Sequence, residues 1–192
     1  MSERRYDQEL RNIIYEDDWF MEVLRTVRAC YLPDWFVGAG VMRSLVWDHL
    51  HGYTCRTPFK DVDVVYFDST NLSQERDKYI LELLTRKLPD VPWEVTNQAA
   101  VHLWFEEYFG YSVPPLGSIE EAISTWPETA TSLGVRLLPN DKLHICAPFG
   151  LEDLFKMTLR RNSRRVTLEL FRERVKEKRI LQKWPRVKVI DG

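Results

Sequence analysis

The sequence predicts an α+β fold, in which a mixed β-sheet is flanked by helices and further helical segments stand at both ends of the chain. Two observations predict it. Strand, helix and strand alternate along residues 35–67, and apolar residues recur at helical spacing on either side of that region. The 192 residues, 44% of them hydrophobic and 29% charged, suffice for one substantial core. Because no stretch has the composition of a linker, we expect a single domain over 1–192 with its core at about 35–165.

The first predicted elements are helices, a strand and a glycine turn. Residues 6–30 predict one or two amphipathic helices, because apolar side chains recur three, four and seven positions apart. Pro33 ends this block, and 35–37 form a short apolar strand. The strand runs into a turn at 38–40, and the apolar stripe that follows predicts a helix over 41–50.

Strands and helices continue to alternate through the middle of the chain. A loop over 52–60 leads to the best strand of the sequence, 62–67, which is rich in β-branched and aromatic residues. The pattern then predicts, in order, a helix over 73–88, a strand over 93–96, a helix over 102–108, an irregular stretch over 110–117, a short helix capped near Ser118, and strands over 135–138 and 143–147.

The last part of the chain predicts two helices and is strongly basic. One helix runs from Gly150 through Arg160, and a long charged helix covers 163–182. Residues 160–192 contain twelve Lys or Arg against four Asp or Glu, although the whole chain has a net charge of −2. The basic helical C-terminal segment, 163–192, is therefore either a solvated helix docked on an acidic body or a surface that binds a polyanion such as RNA.

Cysteine usage and hydropathy indicate a cytoplasmic protein. Cys30, Cys55 and Cys146 are odd in number, widely spaced and without a Cys-x-x-Cys pair, which argues against a disulfide framework or a structural zinc site. No apolar run approaches the roughly 20 residues that cross a bilayer. The N-terminus also lacks the apolar core of a signal peptide. We expect no membrane association and a reducing compartment.

The turn Gly38-Ala39-Gly40 is the first candidate for a functional site. A strand that enters a glycine turn and leaves as a helix lets the backbone approach a ligand closely and points unpaired N–H groups at an anion. Arg43, on the first turn of the helix, could add a forked cationic contact. Arg43 also stands where the dinucleotide fingerprint has its third glycine, and no Gly-Lys-Ser/Thr of a P-loop follows. Taken alone, such a turn is often only a tight connection.

The second candidate is the pair Asp61 and Asp63, which opens the best strand. Residues two apart in a strand share a face, so both carboxylates project the same way while the valines face the core. Like charges held this close repel each other unless a cation lies between them, and Mg²⁺ or Mn²⁺ prefers such oxygen ligands. The alternative for an isolated Asp-x-Asp is the wet face of an edge strand. Its place at the start of this strand favours a metal site.

Together these two motifs resemble those of a known superfamily. The turn at 38–40 with Arg43, followed by Lys60-Asp61-Val62-Asp63, resembles the DNA polymerase beta-like nucleotidyltransferases, and the tRNA CCA-adding enzymes in particular. More of the chain, about 35–165, is similar to a small bacterial family of nucleotidyltransferase-like proteins. The segments that carry this similarity are Trp47-Asp48, 61–68, 97–99, 126–131 and 147–155.

The resemblance implies a nucleotidyltransferase-type core, an activity and a set of site residues. It implies transfer of a nucleoside monophosphate from an NTP, with Mg²⁺ or Mn²⁺, to an unidentified acceptor and release of pyrophosphate. Gly38, Ala39 and Gly40 would hold the nucleotide with Arg43. Asp61 and Asp63 would bind the metal and act in catalysis.

The chain departs from the family pattern at several positions. Ala39 interrupts the usual glycine pair, and Ser44 stands where the CCA-adding enzymes have an acid. The superfamily often has a third carboxylate as metal ligand or base, for which Glu94 is the candidate; the alternative is an exposed strand residue. Lys156 lies on a helix that in related enzymes often supplies a basic residue near the nucleotide, and is otherwise an ordinary surface lysine.

Two further groups have alternative interpretations. Asn97 and Gln98 could hydrogen-bond substrate or cap the next helix. The aromatic run over 104–111 could stack on a base, but clustered aromatics at helical spacing favour core packing.

The sequence thus favours a nucleotidyltransferase over two rival functions. The first rival is a nucleotide-binding or regulatory module of the same fold without turnover, and the status of Glu94 decides between it and the enzyme. The second is a phosphohydrolase of the haloacid dehalogenase type. It is disfavoured because its aspartate pair follows a strand, whereas Asp61 and Asp63 open theirs.

Overall fold

A mixed five-stranded sheet forms the centre of the protein. The computed structural model describes residues 3–191. In spatial order the strands are β3 (Trp93–Asn97), β2 (Val62–Tyr66), β1 (Phe36–Gly38), β4 (Gly134–Leu137) and β5 (Leu143–Cys146). Within this sheet only β2 and β3 run parallel, and the other neighbouring pairs are antiparallel. The predicted α+β class and the mixed, helix-flanked sheet are confirmed.

Two amphipathic helices precede the sheet, as the sequence predicts. They are α1 (Glu3–Glu16) and α2 (Asp18–Arg28). Asp17 separates them, and its carboxylate accepts a hydrogen bond of 2.8 Å from the backbone N–H of Phe20, which caps α2. Their apolar faces enter the same core as the sheet.

The next elements place the two motifs of the sequence side by side. β1 leads through the turn at residue 39 into α3 (Gly40–His51), which is largely buried. β2 follows, then α4 (Gln74–Lys87) crosses back to β3, which joins β2 in parallel. In this register Asp63 lies beside Glu94 on the neighbouring strand.

Two short helices follow β3, and a hairpin then adds the last two strands to the sheet. α5 (Val101–Phe109) and α6 (Ile119–Ile123) lie close to the predicted bounds, and Ser118 caps α6 by accepting a hydrogen bond of 3.1 Å from the N–H of Glu121. β4 and β5 then form an antiparallel hairpin around the predicted turn. The 52–60 and 110–117 stretches lack helices and strands, as expected.

The predicted helix through Arg160 is wrong. α7 covers only Glu152–Phe155, and Met157 then takes a left-handed backbone conformation with φ of 52°. Residues Thr158–Arg160 form β6, which pairs in parallel with β7 (Lys188–Ile190). Buried Leu159 lies opposite Val189, and this pairing with a distant segment outweighs local helical propensity.

The predicted single helix over 163–182 is also wrong. It is divided into α8 (Leu168–Glu177) and α9 (Ile180–Lys183) by Arg179, whose φ is 51°. The C-terminal segment is docked on the body through Trp184, which is fully buried and packs edge-on against Trp47 at 5.3 Å between ring centroids. Its indole N–H donates a 2.7 Å hydrogen bond to Asp48.

The described helices include no candidate for a membrane span. None of those within residues 3–191 combines the length and the apolar composition that crossing a bilayer requires.

Candidate active site

A cleft of about 340 Å³ lies where the turn after β1, the strands β2 and β3, and the C-terminal segment meet. Acidic side chains occupy one part of its wall: Asp61, Asp63 and Glu94. Basic side chains occupy another part, and aromatic rings a third. The cleft therefore brings together residues from six separate stretches of the chain.

The three carboxylates interact electrostatically. Asp63 and Glu94 are neighbours on parallel strands, and Asp61 lies two residues before Asp63. Burial raises the pKa of Asp63 from its ordinary value of 3.8 to about 7, with further contributions from the negative charges of Asp61 and Glu94. Burial, and then the charge of Asp61, raise the pKa of Glu94 as well. Such a group of acids favours binding of a proton or a cation.

A metal at this position would need ligands from outside the protein. Among residues 3–191, no three His, Cys, Asp or Glu side chains are gathered so that they could hold a metal ion by themselves. Mg²⁺ is often held by only one or two carboxylates and completes its coordination with water and phosphate oxygens. Asp61 and Asp63 fit that smaller set of ligands.

The glycine turn divides into a packed residue and an open one. Gly38 is buried and does not line the cleft; a Cβ there would lie 2.3 Å from the carbonyl oxygen of Leu133 and 3.0 Å from the ring of Trp126. Gly40 lines the cleft, and a Cβ there would meet nothing closer than 4.0 Å. Gly38 is therefore required for packing, whereas Gly40 leaves backbone accessible.

Ala39 lies between them in a backbone conformation that favours glycine. Its φ is 56° and its ψ is −124°, and its N–H donates to the carbonyl of Leu133 at 3.1 Å. A non-glycine residue in this region is strained by about 1–3 kcal/mol. The alanine that departs from the family's glycine pair has thus kept a glycine-like turn, and it lines the cleft beside Gly40.

Arg43 lies beneath the turn rather than in the cleft wall. Its side chain is 5% exposed, and its guanidinium is 5.4 Å from the ring centroid of Trp47 and 5.2 Å from that of Trp184. Nε and Nη1 are buried without a hydrogen-bond partner within the described residues. Nη2 lies 4.0 Å from the position of a Cβ on Gly40, which is the cleft side of the turn. Burial lowers the pKa of Arg43.

Lys156 does not lie in the cleft. It is exposed at the end of α7, pairs with Glu152 and is absent from the cleft wall. Because the helix stops at Phe155, the side chain of Lys156 is directed by that local ion pair. The basic residues that line the cleft are instead Arg165, Arg174 and Lys178, none of which the sequence singled out. The four-residue spacing of Arg174 and Lys178 is visible in the sequence, but the many other cations of the C-terminal segment hide it.

Glu128 is a further residue that the sequence analysis missed. It lines the cleft with only 2% exposure and accepts hydrogen bonds from Thr131 Oγ1 at 2.7 Å and Arg174 Nε at 3.2 Å. Burial alone would raise the pKa of Glu128, but Arg174, Lys178 and the Thr131 hydroxyl hold it below its ordinary value. An ionised Glu128 therefore anchors Arg174.

The aromatic run is not simply core, which corrects the expectation from its spacing. Four of its rings line the far part of the cleft: Trp104, Phe105, Phe109 and Tyr111. Gln98 also lines it, whereas Asn97 caps the following turn by accepting a hydrogen bond of 3.2 Å from the N–H of Ala99. The cleft thus offers an apolar, aromatic region next to its charged one, as an amphiphilic ligand requires.

Comparison with known proteins agrees with the resemblance inferred from the motifs. Residues 25–189 match a family model described as nucleotidyltransferase. A protein whose NMR structure is described as a CCA-adding enzyme head domain is 26% identical, with a TM-score of 0.80 over 96% of each chain. A search among curated proteins found no match.

Two larger enzymes share the fold at lower identity. A CCA-adding enzyme in complex with ATP is 16% identical with a TM-score of 0.55. The Thermotoga maritima CCA-adding enzyme complexed with tRNA is also 16% identical, with a TM-score of 0.53. In both cases the match covers 93% of this chain and 41% of the enzyme. The chain therefore has the fold of the head domain and spans about two fifths of the length of these enzymes.

Proposed function

We propose that this chain, which belongs to the nucleotidyltransferase family, transfers a nucleoside monophosphate from an NTP to an acceptor hydroxyl and releases pyrophosphate. The observation that carries the proposal is the convergence of Asp61, Asp63 and Glu94 in one cleft, beside Ala39 and the open backbone of Gly40. Carboxylates next to an anion-binding turn suit a substrate that is itself a complex of metal and polyphosphate.

Each group has a proposed role in this reaction. Asp61 and Asp63 hold Mg²⁺ or Mn²⁺; a bound ion would neutralise charge that develops on the phosphoryl oxygens. Gly40 presents backbone to the phosphates, and Ala39 beside it keeps the glycine-like turn. Gly38 keeps the turn packed, and Arg43 adds positive charge from beneath. The acceptor oxygen bonds to the α-phosphorus as the bond from that phosphorus to the bridging oxygen breaks. Pyrophosphate leaves, and Glu94 takes the hydroxyl proton.

The raised pKa of Glu94 supports its role as the base. A general base works best when its pKa lies nearer to the operating pH than an ordinary carboxyl's does. Burial and the charge of Asp61 move the pKa of Glu94 in that direction. The rival function, a module that binds nucleotide without turnover, lacks an observation in its favour.

The acceptor and the compartment belong to the same proposal. RNA is a candidate acceptor because the C-terminal segment is basic and a tRNA complex exists for an enzyme of this fold. The NTP is the other substrate. We propose the cytoplasm as the compartment, in keeping with three free cysteine thiols.

Mass spectrometry of reaction mixtures tests the function. The chain would be incubated with each NTP, Mg²⁺ or Mn²⁺, and cellular RNA, protein or metabolites. We expect a nucleotide adduct in one fraction and its loss in the D61N/D63N double variant. An equal adduct in the double variant would contradict the assignment. Calorimetric binding of an NTP without an adduct in any fraction would favour the module without turnover.

A further inference from the structure

Two basic residues of α8 share one face. Arg174 lies in the last turn of α8 and Lys178 is its C-terminal cap, and residues four apart on a helix are neighbours on its surface. Both line the cleft. Lys176 and Lys178 are both exposed, but Lys176 projects from the opposite side of the helix and does not line the cleft. Arg165, earlier in the segment, also lines the cleft, where its guanidinium lies 5.3 Å from the ring centroid of Phe105. Arg174 and Lys178 are thus the two cations that α8 and its cap contribute.

These two cations make few direct contacts with the protein. Arg174 uses Nε to bind Glu128, and neither of its terminal nitrogens has a hydrogen-bond partner among residues 3–191. In the same described range, Nζ of Lys178 takes part in no ion pair and no hydrogen bond. With Arg43 nearby, three cations interact with the charge of Glu128. An anion would complete this arrangement.

Lys178 lies among other cations, although its side chain stays exposed. Loss of water lowers the pKa of Lys178, and the nearby Arg174 and Arg43 lower it further against the opposing effect of Glu128 and Asp61. Part of this charge would suit the C-terminus of α8, where the helix dipole favours a cation. The dipole favours cations over the last turn, which includes Arg174 and Lys178, but it does not account for Arg43, which lies on α3.

We propose that Arg174 and Lys178 form a polyphosphate-binding site on the C-terminal segment, which takes the β- and γ-phosphates of the nucleotide. That assignment of the ligand as an NTP rests on the proposed function. Guanidinium and ammonium groups bind phosphate in proteins through charge-assisted hydrogen bonds. Glu128 is the positioning residue that holds Arg174 in place.

The site gives the cleft two poles. A metal held by Asp61 and Asp63 would neutralise the acidic pole, and the remaining phosphate charge would face Arg174 and Lys178. The α-phosphate then lies between the poles, where the acceptor must attack. These two basic residues thus serve the nucleotide, and the RNA-binding role considered for the segment is left to its other cations.

Calorimetry with two probes and a matched control tests the site. The probes are Mg²⁺ with inorganic tripolyphosphate, and Mg²⁺ with an ATP analogue whose α–β bridge is a methylene group. K178M should weaken both by about tenfold, the loss expected for a charge-assisted contact. K176M, with the same change in net charge, should stay within about twofold of the wild type. Affinity for AMP, which lacks both outer phosphates, should change little in either variant.

The outcomes separate this site from the proposed function. Binding of tripolyphosphate that depends on Lys178, without binding of the ATP analogue, would keep the anion site and contradict the nucleotidyltransferase. Equal loss in K178M and K176M would overturn the site and indicate nonspecific attraction. No tripolyphosphate binding by the wild type would overturn it as well. Thermal unfolding of K178M checks that the variant is folded, and R174K supplies a second variant that keeps the charge but loses the fork.

Discussion

Asp63 is the residue whose environment departs most from that of a free carboxyl. It lies between Asp61 in sequence and Glu94 across the strands, and its pKa rises from 3.8 to about 7. The folded protein therefore keeps the carboxyl group of Asp63 protonated over a pH range in which the unfolded chain has lost this proton. Stability from this group is complete below pH 3.8 and is lost as the pH rises through 7.

The variant D63N should remove this dependence on pH. At pH 8 and without metal, we expect its melting temperature to exceed that of the wild type by about 2–4 °C, which about 1 kcal/mol produces in a chain of this size. At pH 5, where the native carboxyl is protonated, the gain should be much smaller. Thermal unfolding at the two pH values measures the difference. The same gain at both values would contradict the coupling.

Gly38 and Gly40 are equivalent in the motif but not in their surroundings. G38A should lower the free energy of unfolding by about 3 kcal/mol or more, because the new Cβ meets the carbonyl of Leu133 at 2.3 Å. G40A should stay within about 0.5 kcal/mol, because its Cβ meets open space. Urea unfolding of both variants gives these values.

The variant G40A also tests whether a phosphate group of the nucleotide approaches the open backbone at this residue. G40A should bind an NTP about tenfold more weakly, a loss of about 1.4 kcal/mol, because a methyl group would stand where a phosphate approaches. Unchanged affinity in a folded G40A would show that the nucleotide does not approach this residue. Urea unfolding of G40A beside the wild type shows whether the variant is folded under the conditions of the binding measurement.

At the level of elements, the parallel pair β2 and β3 forms the acidic part of the cleft and α8 the basic part. Glu128 joins them, because it lines the cleft and also anchors Arg174 on α8. Its replacement by glutamine keeps an oxygen that accepts from Arg174 but removes the negative charge. The cations next to Glu128 then lose the carboxylate that interacts with them most directly in the unliganded protein.

E128Q should therefore lower stability and raise anion affinity together. Without ligand we expect a loss of about 2 kcal/mol in the free energy of unfolding. Saturating tripolyphosphate should raise the melting temperature of E128Q more than that of the wild type, because the anion replaces the missing charge. E120Q, at an exposed position outside the cleft, is the control. A smaller ligand-induced shift in E128Q than in the wild type would refute this account.

Elements that depend on local pattern were predictable from the sequence, and those that depend on distant partners were not. β2 and its two aspartates are specified by alternation within a few residues, and the glycine turn by its neighbours. β6 exists because it pairs with β7 about thirty residues later, so a local reading gave a helix. Similarly, the sequence around Lys156 and Lys178 does not show which of the two lysines lies in the cleft. Lys156 is left outside because α7 ends at Phe155, whereas the docking of α8 places Lys178 in the cleft wall.

For the whole molecule, Trp184 connects the C-terminal segment to the central helix α3. Its ring contacts Arg43 and Trp47, and its N–H binds Asp48, which also accepts from the N–H of Thr57 at 2.7 Å. Side chains from residue 6 to residue 187 share one apolar core. The single domain over 1–192 stays a prediction, and unfolding experiments can test it.

W184A should destabilise the protein by about 3–5 kcal/mol, as expected for loss of a fully buried tryptophan. W184F, which keeps most of the ring and loses one hydrogen bond, should cost about 1 kcal/mol. Urea unfolding followed by fluorescence and by circular dichroism should give coincident transitions in the wild type. Two separated transitions would show that the C-terminal segment unfolds independently of the rest.

The parallel pairing of β6 with β7 makes the intervening chain a closed loop. Residues 161–187 leave the body at β6 and return to it at the neighbouring strand, so α8 is tethered at both ends. A protease that cuts at exposed Arg179 would leave α8 covalently attached to the body and would separate the chain from residue 180 onward, which Trp184 and β7 still hold in place. Each cut end would remain at a high effective concentration near its partner. The nicked protein should therefore migrate as one species until it is denatured.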